Sequence, residues 1–403
     1  MAVRLNELIK LVGNTGLKLV GGKGGLSNPV EWVHIVGNME TAGFLKGSEI
    51  VFTTGIGMEK ETSLLMLTEK IYNNNASGLI VNIGPYIEEV PDEVIHFANE
   101  KDFPVFTVPW EIYLADMMRI FCYAIQQNEQ KEMELSAAFK YCLYAPAEEE
   151  LYMPVLMKKG YSKNSMYTIA VADMLEKTKV SEAKTIYSEL SNERQRQLLR
   201  LWSGAISEQK KNAVTFVDDN LVVTVFADMD DGDTYKVMEA ARKRLDQYLK
   251  ENESVWTAIG LTVHKLVDMK ESFRTGRMTA RYIRKILDDD SVRCYSQMGL
   301  AGLLFHIQKE EQLKAYCERT ILPIKEYDSM NDTNLYQVLR CYMDHNGSVG
   351  KVAEELFVHR NTVNYKIKKI EQILDISLSD FKVRAEIMTA ITADDILIVL
   401  QHN

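Results

Sequence analysis

The stretch KVAEELFVHRNTVNYKIKKIEQIL, residues 351–374, contains two short helical patterns separated by the interruption FVHR. In the second pattern apolar residues recur at spacings of four, three and four: Val363, Ile367, Ile370 and Leu374. At about 100° per residue these positions form one apolar stripe along a helix. The spacing therefore predicts two helices joined by a tight turn. The second helix would pack against the rest of its domain through this stripe.

The remaining residues of the second helix are of the types that contact DNA. No acidic residue lies between Phe357 and Ile370. Short amide and hydroxyl side chains near a helix N-terminus suit base edges in the major groove, and flanking cations suit phosphates. The predicted DNA-binding residues are Arg360, Asn361, Thr362, Asn364, Tyr365, Lys366, Lys368 and Lys369. The pattern thus favours a helix-turn-helix.

Two alternatives to this interpretation stay open at the level of sequence. An ordinary amphipathic surface helix also has an apolar stripe with lysines outside it. Asn361 lies opposite the stripe, where it could bond adenine in a bidentate way, but Asn is also a common helix cap. For the first helix, Ser348 follows the break at Gly347 and is the expected cap.

The overall composition limits how this basic helix could act. The 403 residues carry Lys+Arg 47 against Asp+Glu 57, with a net charge of -10, so any attraction to nucleic acid must be local. Five cysteines without CxxC spacing predict reduced thiols, and neither they nor the seven histidines suggest a metal site. The N-terminus lacks a signal-peptide pattern, so a cytoplasmic location is expected.

Hydrophobic periodicity divides the chain into an ordered series of expected domains. Residues 1–110 alternate short β-branched runs with helical stretches, which predicts an α/β ligand-sensing domain with a largely parallel sheet. Residues 111–144 have apolar positions at helical spacing with no Pro or Gly, and predict a connecting helix. An α+β domain is expected over 145–298, and an all-α domain over 299–403 with the helix-turn-helix at 348–374.

At the helix-turn-helix a resemblance to a known family becomes specific. The chain resembles the C-terminal domain of the PucR/CdaR family of bacterial transcription regulators, whose signature is A-x2-L-x-V-H-R-N-T-[VL]-x-Y-[RK]-[IL]. The residues from Ala353 to Ile367 match every specified position of it. GLSNPVEWVHIV, FLKGSEIVFTTG and FPVFTVP, within residues 17–110, are similar to the N-terminal sensory domain of that family.

The middle region resembles the degenerate GGDEF-type, cyclase-like domain that such regulators carry. It is expected to have the order β-α-β-β-α-β with its helices on one face, a first strand at 165–173 and helices from there to about 211. A working cyclase needs a Gly-Gly-acidic-Glu-Phe turn to cradle phosphates, whereas this hairpin reads FVDDNLVVT. We therefore expect no enzyme activity, and we expect Asp173, Asp218 and Asp219 to be solvated strand-end residues.

In the N-terminal domain, polar residues follow three strands of the expected parallel sheet. Ligands of such sheets bind at the carboxyl ends of strands. The candidate ligand-binding residues are Thr53, Thr54, Gly55, Asn82 and Trp110. Hydroxyls, an amide and an aromatic ring would suit a planar polar molecule such as a purine derivative, and the alternative is that Thr and Asn cap the following helices.

These expectations converge on a ligand-responsive DNA-binding transcription regulator without a cofactor. The resemblance implies purine catabolism, or related nitrogen or carbon utilisation, as the regulated process and activation as the direction. The expected partners are a double-stranded DNA operator, a small-molecule effector and a second copy of the chain in a homodimer or higher oligomer. The expected dimer contact is the connecting helix, through its apolar Met117, Ile120, Tyr123 and Ala124. A nucleotide-binding enzyme and a protein-protein adaptor remain as alternatives.

Overall fold

The computed structural model describes residues 3–13, 15–58, 62–181, 184–209, 213–287, 289, 291–307 and 309–401. The chain divides into two units, Met1–Ala138 and Phe139–Asn403, which are described separately. Within the described residues, no helix is both long enough and apolar enough to cross a bilayer.

The first unit is a five-stranded sheet between helical layers. Its elements are β1 Val3–Arg4, α1 Leu5–Leu11, β2 Lys18–Gly21, β3 Pro29–Val30, β4 Trp32–Ile35, α2 Met39–Ala42, β5 Glu49–Thr53, α3 Leu64–Asn73, β6 Gly78–Ile83, α4 Asp92–Glu100, β7 Val105–Pro109 and the start of α5 Leu114–Tyr144. The sheet order is β2-β7-β6-β5-β4, in which β4 to β7 are parallel and β2 is antiparallel. The largely parallel α/β sheet expected from the sequence is confirmed.

Alternation along β5 places its side chains in two separate cores. Val51 packs among residues of α3 and α4 on one face of the sheet. Ile50 and Phe52 pack on the other face with residues of α1 and with the first turns of α5. Because successive residues of a strand point to opposite faces, a strand covered on both sides reads as the continuous apolar run seen in the sequence.

The second unit begins with an α+β part. Its elements are the end of α5, α6 Glu149–Lys158, β8 Tyr167–Ser181, β9 Lys184–Glu189, α7 Asn192–Gln209, β10 Val214–Asp218, β11 Leu221–Ala227, α8 Asp231–Asp246, β12 Glu253–Ile259, α9 Met269–Tyr282, a π-helical turn Ile283–Leu287 and β13 Arg293–Cys294. The sheet order is β10-β11-β8-β12-β13, and β9 also pairs with β8.

Two expectations for this part are wrong. The first strand does not end at 173 but continues to Ser181, and β9 follows it where a helix was expected. The helices also lie on both faces of the sheet. Ala172 and Met174 of β8 pack with α7 and α8, whereas Asp173 between them pairs with Arg284 just beyond α9. The β8–β9 hairpin is stabilised by pairing across the sheet. Its local sequence therefore has no strand pattern strong enough to distinguish it from the helix that follows.

The rest of the second unit is helical where the structure describes it. Its elements are α10 Gly299–Leu304, α11 Glu310–Thr320, α12 Leu322–Asn331, α13 Leu335–Asp344, α14 Val349–Glu355, α15 Arg360–Leu374 and α16 Phe381–Leu400. One core joins these helices, and Met278 and Tyr282 of α9 belong to it as well. The end of α9 therefore packs against both the sheet and the helical part.

Candidate nucleic-acid interface

Helix α15 starts at a side-chain cap. His359 occupies the N-cap position, and its Nδ1 accepts a hydrogen bond from the backbone N–H of Asn361 at 3.2 Å. Asn361 is therefore the second residue of the helix, and the alternative that it caps α15 is wrong. Ser348 does stand at the N-cap position of α14, but its side chain makes no cap hydrogen bond there. Chain geometry, and not residue preference, decides which polar side chain reaches the free N–H groups.

The predicted stripe of α15 is buried and the opposite face is exposed. Val363 and Ile370 are inaccessible to solvent, and Ile367 is nearly so. Of the predicted DNA-binding residues, those on the exposed surface are Arg360, Asn361, Thr362, Asn364, Tyr365 and Lys368. The Tyr365 side chain is 70% exposed. The stripe therefore holds α15 on the domain and leaves an amide, hydroxyl and aromatic surface without acids.

Two of the predicted lysines are turned back toward the protein. The Lys366 Nζ donates a hydrogen bond to the side-chain oxygen of Asn334. The Lys369 Nζ lies over the ring of Tyr327, 5.1 Å from its centroid. Both lysines are half-buried, in contrast to Lys368. A helical wheel does not distinguish these lysines from Lys368. The contacts of α15 with helices α12 and α13 do, because they engage Lys366 and Lys369 alone.

The turn before α15 presents a residue that sequence reasoning passed over. Phe357 is 95% exposed, and its φ of 52° lies in the left-handed region. For a bulky side chain this conformation is unfavourable, and such strain concentrates at functional sites. The available signal was an aromatic residue in a turn where a small residue is usual. Phe357 therefore presents an exposed apolar side chain beside the N-terminus of α15.

Partly buried ion pairs connect helices α12 and α13 to α16. The two terminal guanidinium nitrogens of Arg340 in α13 donate to the carboxylate of Asp395, at 2.5 and 2.8 Å. Burial raises the pKa of Asp395, and Arg340 opposes that shift. The neighbouring Asp394 accepts from Lys325 at 2.6 Å and from the hydroxyl of Tyr336 at 2.7 Å. These bonds join α12, α13 and α16 into one support for α15.

A cluster of three possible metal-binding side chains also lies in this domain. The ligand atoms of Cys341, His345 and Glu355 are all within 4.8 Å of one another. Glu355 already receives hydrogen bonds from the other two side chains. Burial raises the pKa of the Cys341 thiol to about 11, which favours the protonated form that binds metals poorly. Hydrogen bonding between α13 and α14 accounts for the cluster, and the C-x3-H spacing on α13 was the sequence signal for it.

In the middle domain, two of the three acids that were expected to be solvated strand-end residues are not solvated. The side chains of Asp173 and Asp218 are buried. Arg284 bonds Asp173 at 2.7 Å, and Asp218 accepts from the Tyr144 hydroxyl and lies 3.7 Å from the Lys140 Nζ. The expectation of solvated acids is therefore wrong for these two. It missed cations that reach them from α5 and from beyond α9, which no local sequence window contains.

The N-terminal ligand candidates lie at one edge of the first sheet, because β5, β6 and β7 are parallel neighbours. Local bonds occupy several of them. The Asn82 side chain donates to the carbonyls of Val108 and Pro109 at 3.3 and 3.0 Å, and the Thr53 and Thr54 hydroxyls accept from backbone N–H groups two residues ahead. Asn82 thus joins two strand ends, and the expected helix-capping alternative is not what these residues do.

The open space at this edge is displaced from the predicted residues. A cavity of about 390 Å³ is lined by Met58, Leu64, Tyr86 and Ile87 with nearby prolines and glutamates, and by none of the five candidates. Two of the five candidates contact residues that line the cavity. Trp110 packs against Tyr86 with ring centroids 5.9 Å apart, and Gly55, at a φ of 76°, lies against Ile87.

The expected dimer contact on α5 needs correction. Met117 is buried in the core of the first unit, and Ile120 and Ala124 pack against that core. Tyr123 alone of these four predicted positions is largely exposed, at 63%. The chain itself uses part of the apolar face that the helical pattern revealed, and the buried Met117 is not available for a contact with a second copy.

Three family models match successive parts of the chain. The purine catabolism regulatory protein-like family matches residues 7–125. A GGDEF-like domain matches residues 159–282, and the PucR C-terminal helix-turn-helix domain matches residues 335–393. The chain therefore carries both terminal domains of PucR-type regulators, with a GGDEF-like domain between them.

Three curated proteins of Bacillus subtilis (strain 168) are similar to parts of the chain. The proline-responsive transcriptional activator PutR is 32% identical over 23% of this chain and 23% of its own length. The purine catabolism regulatory protein is 23% identical over 32% of this chain and 24% of its own. The DNA-binding transcriptional activator AdeR is 23% identical over 21% of this chain and 20% of its own. Each match thus spans about a fifth to a quarter of the relative.

Proposed function

Because the chain carries both terminal domains of PucR-type regulators, we propose that it is a ligand-responsive transcription regulator that binds DNA through α15 and acts in the cytoplasm. The exposed, acid-free face of α15 carries this proposal. The start of the helix offers the exposed side chains of Asn361 and Thr362 for base edges. The ion pairs that join α12 and α13 to α16 support α15 and make its surface rigid enough to read a sequence.

The proposal includes activation and a small effector bound by the first unit. The names of PutR and AdeR describe transcriptional activators, which favours that direction. The name of PutR gives proline as what that protein responds to, whereas the name of the purine catabolism regulatory protein gives purine catabolism as the process it regulates. We retain purine catabolism or a related nitrogen or carbon pathway as the proposed process, and the edge that carries Trp110 and Tyr86 as the proposed place of binding.

We also propose that the protein acts as a homodimer or a higher oligomer. One helix-turn-helix makes too few contacts for tight specific binding, and dimers read two half-sites about one helical turn apart. A selected operator would then contain two related half-sites. Exposed aromatic side chains such as Tyr123 remain available on α5 for a contact between copies.

Selection of the full chain against random DNA duplexes tests the proposal. We expect enrichment of a two-half-site sequence, and addition of purines, ureides, sugar acids or proline should change the affinity for it. Asn361→Ala should relax the preference at one base pair of each half-site by about 1 to 3 kcal/mol. Its melting temperature should not change, since its side chain does not cap the helix.

Asn164→Ala, which removes an exposed amide ahead of β8, is the matched control and should bind like the unmodified chain. Failure to enrich any duplex would favour the adaptor alternative. An unaltered base preference in Asn361→Ala would transfer base reading to Thr362 or Tyr365.

A further inference from the structure

A cavity of about 800 Å³ lies inside the second unit, between the GGDEF-like sheet and the last turn of α16. One wall is formed by the middle of β8, the end of β9 and the β10–β11 hairpin. The facing wall is formed by cations on α9 and the π-helical turn, together with Ile398 and Gln401. Its volume is in the range of small-molecule sites. Nothing in the DNA-binding role of α15 uses this cavity.

Four cations line the cavity, and two of them are engaged in bonds within the protein. Arg284 forms its salt bridge with Asp173. The Lys285 Nζ donates to the carbonyls of Ile398 and Gln401, at 3.2 and 3.0 Å, and so caps the end of α16. These two side chains connect the sheet and the last helix across the cavity.

The other two cations have no carboxylate partner within the described part of the chain. The Nε of Arg277 is buried and lacks a hydrogen bond there, and its guanidinium lies over the Phe273 ring at 5.5 Å. Arg281, one helical turn further along, is half-buried and makes no salt bridge with any described residue. Burial and the neighbouring guanidiniums of Arg277 and Arg284 lower its pKa, against an attraction from Asp173.

The acids of the cavity do not neutralise this pair. Asp173 is occupied by Arg284, and Asp218 is occupied by Tyr144 and Lys140. The two remaining acids, Glu189 and Asp219, are exposed at the rim. An isolated, partly buried cation is unfavourable without a counter-charge. Two such guanidiniums a turn apart are therefore placed to bind one anionic group together.

We propose that Arg277 and Arg281 bind an organic anion in this cavity, through a phosphate or carboxylate group held between the two guanidiniums. The planar guanidinium fork matches the oxygen pairs of both groups. Apolar and aromatic side chains complete the walls, so the body of the ligand is at least partly apolar: Leu175, Ile186, Phe273 and Ile398. Because the last turn of α16 forms one wall, the bound anion contacts the sheet and the helical domain at once.

Isothermal titration calorimetry of the full chain at constant ionic strength tests this site. Pyrophosphate is the phosphate probe and citrate the carboxylate probe, so the two arms identify the group preferred. We expect saturable binding of at least one probe. Arg277→Gln and Arg281→Gln should each weaken it by about ten- to a hundredfold, the value of one charge-assisted hydrogen bond. Arg196→Gln, which removes an exposed guanidinium from α7, is the matched control and should leave the affinity unchanged.

A melting curve without ligand separates a binding role from a structural one. If Arg281 is present for a ligand, Arg281→Gln removes a repelled, half-buried charge and should melt at the same or a higher temperature than the unmodified chain. Absence of saturable heat with both probes, an affinity of both variants equal to that of the unmodified chain, or a lower melting temperature of ligand-free Arg281→Gln would each overturn the proposal. None of these outcomes depends on DNA binding.

Discussion

Helices α9 and α15 are both rich in cations, yet the second unit uses them in different ways. On α15 Lys368 is exposed, and no salt bridge holds it within the described residues. On α9 Arg281 is half-buried in a cavity, and in the π-helical turn that follows Arg284 is largely buried against Asp173. A count of charges cannot distinguish these helices. Exposure decides whether a cation is available to a polyanion or serves the fold and an internal site.

The largest expected effect comes from removing a buried cation. Arg284→Gln leaves the carboxylate of Asp173 buried without its partner, which should cost about 3 kcal/mol of unfolding free energy at pH 7. Chemical denaturation monitored by circular dichroism measures it. Lys368→Gln, a cation lost from the exposed face of α15, should leave the same quantity unchanged and is the control.

The pH dependence of that loss has a definite sign. Burial raises the pKa of Asp173, and Arg284 opposes the shift, so the variant raises this pKa further. A carboxyl whose folded-state pKa is raised stabilises the fold below its unfolded-state pKa and loses that contribution as the pH rises through the folded-state value. The difference from the unmodified chain should therefore be greatest near neutral pH and shrink on acidification. A difference that grows with acid would show that Asp173 is not the group left unpaired.

An intermediate effect is expected for the exposed lysine in DNA binding. Lys368→Ala should lower the slope of log affinity against log salt by about 0.9 if it removes one phosphate contact, which over a tenfold change in salt is about 1.2 kcal/mol. Lys369→Ala should change the slope less, because its ammonium lies over the Tyr327 ring. Fluorescence anisotropy at several salt concentrations measures both slopes.

Lys236→Ala on α8 provides a lysine control outside the helix-turn-helix. Equal slopes for Lys368→Ala and Lys369→Ala would mean that the ring contact of Lys369 opens on binding. In that case the division of α15 into free and engaged lysines would hold only without DNA.

The smallest expected effect concerns how the two helices begin. Helix α15 has a side-chain cap from His359, whereas the N-cap residue of α9, Asp268, makes no such bond. His359→Ala should therefore lower the stability of the helical domain by about 0.5 kcal/mol, and His359→Asn should restore it. Asp268→Ala and Ser348→Ala should be neutral by the same thermal measurement. A comparable loss in Asp268→Ala would show that α9 also depends on its first turn.

The sequence by itself determined the features that repeat locally along the chain. The alternation of strands and helices in the first unit, the helix at Leu114–Tyr144 and the 4-3-4 stripe of α15 all follow from periods of 2 and 3.6 residues. The motif from Ala353 to Ile367 also identified the type of domain, which the family models confirm. Such patterns depend only on residues that are close in sequence, so they can be recognised without knowledge of the packing.

Tertiary structure alone decided which of these side chains are free to act. Asp173 meets Arg284 across 111 residues of sequence, and Lys369 meets the Tyr327 ring from another helix. Met117 is buried in the core of the first unit because the start of α5 packs on one face of the sheet. Burial and charge pairing depend on elements distant in sequence, and a residue's hydration and partner are properties of that packed environment and not of its own helix.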